Sequence, residues 1–238
     1  MPSIWEKETW FEVQDVIIAG SGFTGLWSAL YLKKSNPDLK VTVIDSGWIP
    51  AGASTRNAGI ACFGSLSEVV FDASVMGTDK MLWLVEMRYK GLERIRKYFK
   101  KSEIDFDFCG GYELYDYSDK VTTEQLRHNI EYINSLFKSI TGVKNTYRLS
   151  DKKIKSFGFG NTKHLVKNIL EGCLHPGKLL HALLSEVQGM GVKVLSSTEI
   201  RSYEVIQELV HIDTDHAFTF KAKQFLICTN AFTKNIVP

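Results

Sequence analysis

Gly20-Ser21-Gly22-Phe23-Thr24-Gly25 follows the apolar run Val16 to Ala19 and opens a stretch in which Leu26, Ala29, Leu30 and Leu32 recur at helical spacing. A GxGxxG turn between a strand and a helix suits a diphosphate: Gly20 permits the sharp turn, Gly22 lets phosphate oxygens reach the backbone, and Gly25 lets helix and strand pack closely. Amides at the helix start, at Phe23 and Thr24, then face anionic oxygens with unsatisfied N–H groups. Asp45, twenty positions after Gly25, closes a second apolar run from Val41 to Ile44. There, with Ser46 beside it, a carboxylate can accept both ribose hydroxyls of an adenosine, and it would repel a 2'-phosphate, which makes NADP the least favoured dinucleotide. Each signal alone has a plainer explanation, a tight strand-to-helix connection or a surface acid, but their order and spacing together favour a dinucleotide.

The elements that must hold these residues form one βαβ unit over residues 13 to 45, with Pro37 and its neighbours stopping the helix. A loop rich in Gly, Ala, Ser and Asn runs from Gly47 to about Ser67, too long for an ordinary connection, which points to function. Helices are expected from Lys80 to Phe99, on Leu84, Met87 or Arg88, Leu92, Ile95 and Phe99, and from Thr123 to Phe137, on Leu126, Ile130, Ile133 and Phe137. Gly110 to Tyr115 between them reads as a turn and a strand, and His164 to Leu170 as another strand. Pro176 to Gln188 reads as a helix with Pro176 in its first turn, and Val192 to Leu195 as a strand. Ile200 to Ile206, Leu209 to Ile212 and Phe218 to Phe220 suggest a small meander, with Phe225 to Cys228 a separate last strand. The fold class that follows is α/β, a Rossmann-like domain built from residues 1–63 and 175–238, interrupted by an inserted α+β substrate or cap region over 64–174.

Composition excludes several classes. With 44% hydrophobic and 24% charged residues, the 238-residue chain can bury a core, so disorder is not expected. The balance of 29 basic against 27 acidic side chains leaves a net charge of +2, too small to draw a nucleic acid. Cys62, Cys109, Cys173 and Cys228 lie far apart with no CxxC pair, so neither a metal site nor a disulfide framework is expected. The N-terminus lacks the pattern of a secretory signal and no segment has the uncharged length of a membrane span, so a cytoplasmic location is expected.

The choice between FAD and NAD rests on Ala51-Gly52-Ala53-Ser54-Thr55-Arg56-Asn57-Ala58-Gly59, whose small residues let the backbone lie against a flat ring and whose Ser54, Thr55 and Arg56 offer donors to anionic oxygens. Together with Gly20 to Gly25 and Asp45, this segment resembles the D-amino acid oxidase-like family of FAD enzymes, which includes glycine oxidase, sarcosine oxidase and gamma-glutamylputrescine oxidase. Glu171 to Leu180 looks like the family's lead into the helix returning to the FAD domain, and Ala222 to Thr233 like its last strand and nucleotide-contacting turn. The resemblance implies a glutathione-reductase-type flavoprotein fold, FAD as cofactor, and hydride transfer from the carbon of a C–N bond of a small amine or amino acid. It places Asn57, Ala58 and Gly59 with Ser54 to Arg56 in the cofactor loop, matches Ile200 to a backbone contact with adenine, and matches Thr229 and Asn230 to residues near the ribose and phosphates. Asn230 stands where much of the family has Gly.

No catalytic residue is named. His175 reads as a partner for nearby backbone, Cys62 as a buried small residue, Arg94 to Lys101 as a solvated face, and Trp83, Tyr89, Tyr98 and Phe99 as core. In the resembling family a long C-terminal half follows the point where this sequence stops, so the sequence is expected to be a fragment or an incomplete member, its missing half supplied by the full-length chain. Two other readings stay open at this level: a non-catalytic or chain-completed FAD-binding module, and an NAD-dependent dehydrogenase.

Overall fold

A computed structural model describes residues 3–216 and 218–236. The chain begins with α1 (Ile4–Thr9), β1 (Gln14–Ala19), α2 (Phe23–Ser35), β2 (Val41–Ile44), β3 (Ile60–Ala61), α3 (Leu66–Met76), α4 (Thr78–Tyr98) and α5 (Lys101–Ile104). It continues with β4 (Gly111–Asp116), α6 (Thr123–Thr141), β5 (Tyr147–Leu149), α7 (Ile154–Phe157), β6 (Thr162–Asn168) and β7 (Gly172–Cys173). The last stretch is α8 (Pro176–Gly189), β8 (Lys193–Leu195), β9 (Ile200–Ile206), β10 (Leu209–Thr214) and β11 (Thr219–Ile227). Two compact units result: Met1–Asn57 with Pro176–Pro238, and Ala58–His175.

The first unit is an α/β layer structure on a six-stranded sheet in the order β8-β2-β1-β11-β10-β9. β8, β2, β1 and β11 run parallel, while β10 and β9 are antiparallel to their neighbours. The continuous apolar runs of β1 and β2 have their reason here, because Ile17, Ile18, Val43 and Ile44 are buried in the middle of a parallel sheet. Helices α2 and α8 pack against one another, burying Leu26, Ala29 and Leu30 from one and Leu179, Leu180, Leu183 and Val187 from the other. Each such large side chain contributes roughly 1.5–3 kcal/mol of burial. Between α2 and β2 the buried Lys33 ammonium donates to the carbonyls of Pro37 and Leu39, which fixes the connection that delivers β2.

One sequence expectation is corrected in this sheet. Phe218–Phe220 and Phe225–Cys228 were expected to be separate strands, but β11 runs unbroken through Thr219–Ile227. Its first half pairs antiparallel with β10 and it pairs parallel with β1 from Ala222 onward, so a single strand serves both. The polar stretch that seemed to interrupt it alternates instead: Phe220 and Ala222 are buried, while Lys221 and Lys223 reach solvent, Lys223 at 2.8 Å from Asp15.

The second unit has a three-stranded antiparallel sheet, β4-β6-β5, and the helices α3, α4 and α6. Thr122 and Gln125 form a capping box at the start of α6, whose Leu126, Ile130, Ile133 and Phe137 are buried. The buried Asn134 ties that helix to β5 with two bonds to Tyr147, donating to its carbonyl and accepting from its N–H, both at 2.9 Å. Helix α3 lies just after the expected long loop and was not foreseen; Ser65, whose side chain accepts from Glu68 N, caps it. Along α4 the buried residues are Met81, Val85 and Leu92, and Trp83, expected in the core, is 63% exposed. Glu171 is buried, accepting from Phe63 N at 3.1 Å and Gly64 N at 3.4 Å. Burial raises its carboxyl to about 7, the charges of Glu68 and Glu113 add to that, and the two backbone bonds oppose it. Among the described residues, no helix is long and apolar enough to cross a membrane.

Candidate dinucleotide-binding site

At the C-terminal ends of β1 and β2 the first unit has a cavity of about 660 Å³. The turn leaving β1 supplies one wall. Gly20 has φ +101°, in the range that side chains rarely adopt, and a Cβ there would stand 2.7 Å from the Cys228 carbonyl oxygen. Gly25 sits inside the first turn of α2, where a Cβ would meet the Gly20 carbonyl oxygen at 2.0 Å. Only glycine lets the helix start this close under the strand end, and Gly22, Phe23 and Thr24 consequently line the cavity with Gly20. The first helical amide, Phe23 N, donates to Ser54 Oγ at 2.9 Å, so Ser54 anchors the later loop against the helix start.

Asp45 stands at the end of β2 and also lines the cavity. Its Oδ2 accepts from both the N–H and the hydroxyl of the buried Ser21, each at 2.7 Å, and its Oδ1 accepts from Gly47 N at 2.9 Å. The carboxylate therefore locks the glycine turn to the second strand, and with both lone pairs of Oδ2 taken by Ser21, Oδ1 keeps one further lone pair for a hydroxyl. Ser21 is a residue that sequence reasoning missed, because it occupies a variable position of the glycine pattern.

The opposite wall comes from the return of the chain. Thr198, Glu199 and Ile200 line the cavity at the start of β9, and Ile227, Cys228, Thr229, Asn230, Phe232 and Thr233 line it from the end of β11 onward. Asn230 has φ +51°. Asparagine is among the few side chains that adopt this left-handed conformation readily, which is a physical reason for finding it where glycine is common. Cys228 is half-buried, and desolvation raises its thiol pKa.

Of the sequence-predicted residues, Gly20, Gly22, Phe23, Thr24, Asp45, Ser46, Ser54, Ile200, Thr229 and Asn230 line this cavity. Gly25 is buried behind the turn. Thr55, Arg56 and Asn57 follow Ser54 in a short turn outside the lining, in which Thr55 Oγ1 donates to Pro50 O at 3.2 Å and Asn57 Nδ2 to Ala53 O and Ser54 O at 3.0 Å. Arg56 is exposed, and Ala58 and Gly59 belong to the second unit.

One thiol expectation is corrected. Cys62 is exposed rather than buried, although its surroundings still desolvate the thiol and, with Glu171 and Glu68, raise its pKa. Cys109 and Cys173, distant in sequence, have their sulfurs 3.9 Å apart. A separation of 64 residues matches no local ligand pattern, so only the fold reveals the pair.

Comparisons with known proteins bear on the fold and the family. Gamma-glutamylputrescine oxidoreductase of Escherichia coli (strain K12) is 34% identical over 119 residues, 49% of this chain and 28% of that protein. The probable oxidoreductase OrdL of Rhizobium meliloti (strain 1021) is 27% identical over 231 residues, 94% of this chain and 51% of that protein. The chain thus spans about half the length of OrdL and less of the other relative. Among solved structures, glycine oxidase from Geobacillus kaustophilus superposes with a TM-score of 0.66 at 19% identity, covering 93% of this chain and 56% of that one. L-proline dehydrogenase from P. horikoshii superposes with a TM-score of 0.64 at 21% identity, covering 94% and 55%. Both share the fold. The model of the family described as FAD dependent oxidoreductase matches residues 15–238, and the chain belongs to that family, DAO.

Proposed function

We propose that residues 1–63 and 175–238 form the FAD-binding domain of an enzyme that oxidises the C–N bond of an amine or amino acid, and that residues 64–174 are part of its substrate domain. The observation that carries the reading is the single cavity in which the Gly20–Thr24 turn, Asp45 with Ser46, Ser54, Ile200 and the Thr229–Asn230 turn come together. Its volume lies within the range of about 300–1,000 Å³ usual for small-molecule sites. The residues fit the adenosine diphosphate part of FAD: the start of α2 for the phosphates, Asp45 for the ribose, the backbone near Ile200 for the adenine, and Thr229 and Asn230 for the remaining polar edge. When bound, FAD would supply the redox chemistry for oxidation of the carbon that bears the amine.

This chain's own residues bind and orient. Ser21, Gly47 and Asp45 brace the turn, and Ser54 holds the loop against the helix start. The substrate class is supported by relatives whose names refer to an amine or an amino acid, namely gamma-glutamylputrescine oxidoreductase, glycine oxidase and L-proline dehydrogenase. We place the protein in the cytoplasm, with a small molecule rather than a nucleic acid as its substrate.

The test is a visible absorbance spectrum of the purified chain after incubation with FAD and removal of the excess by gel filtration, followed by an anaerobic screen of amines and amino acids for flavin bleaching. Retained flavin bands that bleach with a member of the screen are the expected result. Retention without bleaching by any amine would leave a binding module and reject the enzymatic reading of this chain, and no retention would reject the site.

A further inference from the structure

In the second unit, Asp107 and Cys173 form an isolated antiparallel bridge, with Asp107 N donating to Cys173 O at 2.8 Å and Cys173 N to Asp107 O at 2.9 Å. Residues paired in this way carry their side chains on the same side. Three residues after Asp107, Gly110 N donates to Glu171 O at 3.0 Å, whereas Glu171 is two residues from Cys173, so the 107–110 segment spends one more residue than its partner between the two bonds. Within this segment Cys109 has its sulfur 3.9 Å from that of Cys173. The backbones are held tightly together, since a Cβ on Gly172 would meet the Asp107 carbonyl oxygen at 2.1 Å. One ligand atom each from Asp107, Cys109 and Cys173 lies within 4.8 Å of the others, and all three side chains are exposed.

The sulfur separation excludes a formed disulfide and fits both a thiol-to-thiol hydrogen bond, Cys109 Sγ donating to Cys173 Sγ, and a shared metal ion. A disulfide requires about 2.05 Å. Two thiolates bound to one tetrahedral zinc ion, each about 2.3 Å from it, stand about 3.8 Å apart. The observed 3.9 Å is close to the second value. Hard cations such as calcium or magnesium want a shell of oxygens, and this cluster offers one carboxylate beside two sulfurs, a set suited to a thiophilic ion.

We propose that Asp107, Cys109 and Cys173 bind a thiophilic divalent cation of the zinc class, with two thiolates and one carboxylate as ligands and the fourth position open to water. Binding displaces one proton from each thiol and none from the carboxylate, so the site with its ion carries one net negative charge. No redox step is involved, and the site does not depend on the cofactor reading of the first unit.

The full chain, purified with a non-coordinating phosphine reductant and stripped of metal, is titrated with Co²⁺ as a spectroscopic probe. Expected are near-ultraviolet thiolate-to-cobalt charge-transfer bands that saturate at one ion per chain and vanish when Zn²⁺ is added. The Cys109→Ser and Cys173→Ser variants lose the bands, whereas a Cys62→Ser, Cys228→Ser double variant keeps them. Asp107→Ala weakens binding by at least about tenfold, since ligand loss should cost no less than loss of an outer-shell partner. Circular dichroism of each variant separates site loss from unfolding. Absence of thiolate bands in the folded wild-type chain, or their persistence in a folded Cys109→Ser, Cys173→Ser double variant, overturns the site.

Discussion

At the residue scale, Asp45 has two roles that a mutation pair can separate. It accepts three hydrogen bonds from Ser21 and Gly47, which brace the glycine turn, and the one lone pair left on Oδ1 is available to a ribose in the proposed complex. Asp45→Ala leaves the buried Ser21 N–H and hydroxyl without their acceptor, a loss of about 2 kcal/mol of stability. Ser21→Ala removes only the hydroxyl bond, on the order of 1 kcal/mol, and leaves the carboxylate in place. If the carboxylate holds the ribose, Asp45→Ala lowers FAD affinity by more than about tenfold, a loss of at least about 1.4 kcal/mol. Ser21→Ala changes affinity by less than about threefold, well under that energy. Flavin fluorescence titration of both variants reads the difference, and equal losses in the two would mean that Asp45 serves the turn alone.

At the element scale, two helical glycines give opposite expectations from one substitution. Alanine is favoured over glycine inside a helix by about 1 kcal/mol. Gly91, within α4, has nothing within 4 Å of the position a Cβ would take, so Gly91→Ala should raise the thermal midpoint by roughly 2–4 °C. At Gly25 the same gain is overwhelmed, because the added carbon would lie 2.0 Å from a backbone oxygen that cannot move without opening the turn. Gly25→Ala should therefore destabilise by about 3 kcal/mol and abolish flavin retention. Differential scanning calorimetry decides both; a stabilised Gly25→Ala would show that the turn is loose.

The same contrast explains what could be read from sequence. β1, α2, β2 and α8 were legible because buried parallel strands and two-helix packing leave uninterrupted apolar runs and helical spacing. The glycines and Asp45 were legible because their spacing is fixed by a short local unit. Helix α3 was hidden by the polar loop before it, although Ser65 followed by Glu68 at capping distance was an available signal. β11 was split because its alternation of buried and charged residues was taken for a break, and Ser21, Thr198 and the Cys109–Cys173 pair take their places only from tertiary approach.

At the scale of the whole molecule, the chain leaves its first unit after Asn57 and returns to it at Pro176, and the second unit between them holds Glu171, a buried carboxyl displaced far upward. Glu171 has its pKa raised from 4.5 to about 7, first by burial and then by Glu68 and Glu113, against the bonds from Phe63 and Gly64. Well below pH 4.5 the group is neutral in folded and unfolded chains alike. As pH rises toward 7 the unfolded chain gives up a proton that the folded one keeps, so stability falls by up to about 1.4 kcal/mol per pH unit, then levels off. The total is on the order of 3 kcal/mol. Glu12 and Asp15, lowered by hydrogen bonds from lysines, work in the opposite direction but are lost only as pH falls through the acid range. Glu171→Gln keeps a side-chain acceptor for the two backbone amides and has no proton to lose. In urea denaturation with chelator present, wild type should lose stability relative to Glu171→Gln between pH 5 and 7.5, and the two should converge well below pH 4.5. Parallel curves across that window would show that Glu171 ionises as freely in the folded chain as in the unfolded one, and that water reaches it.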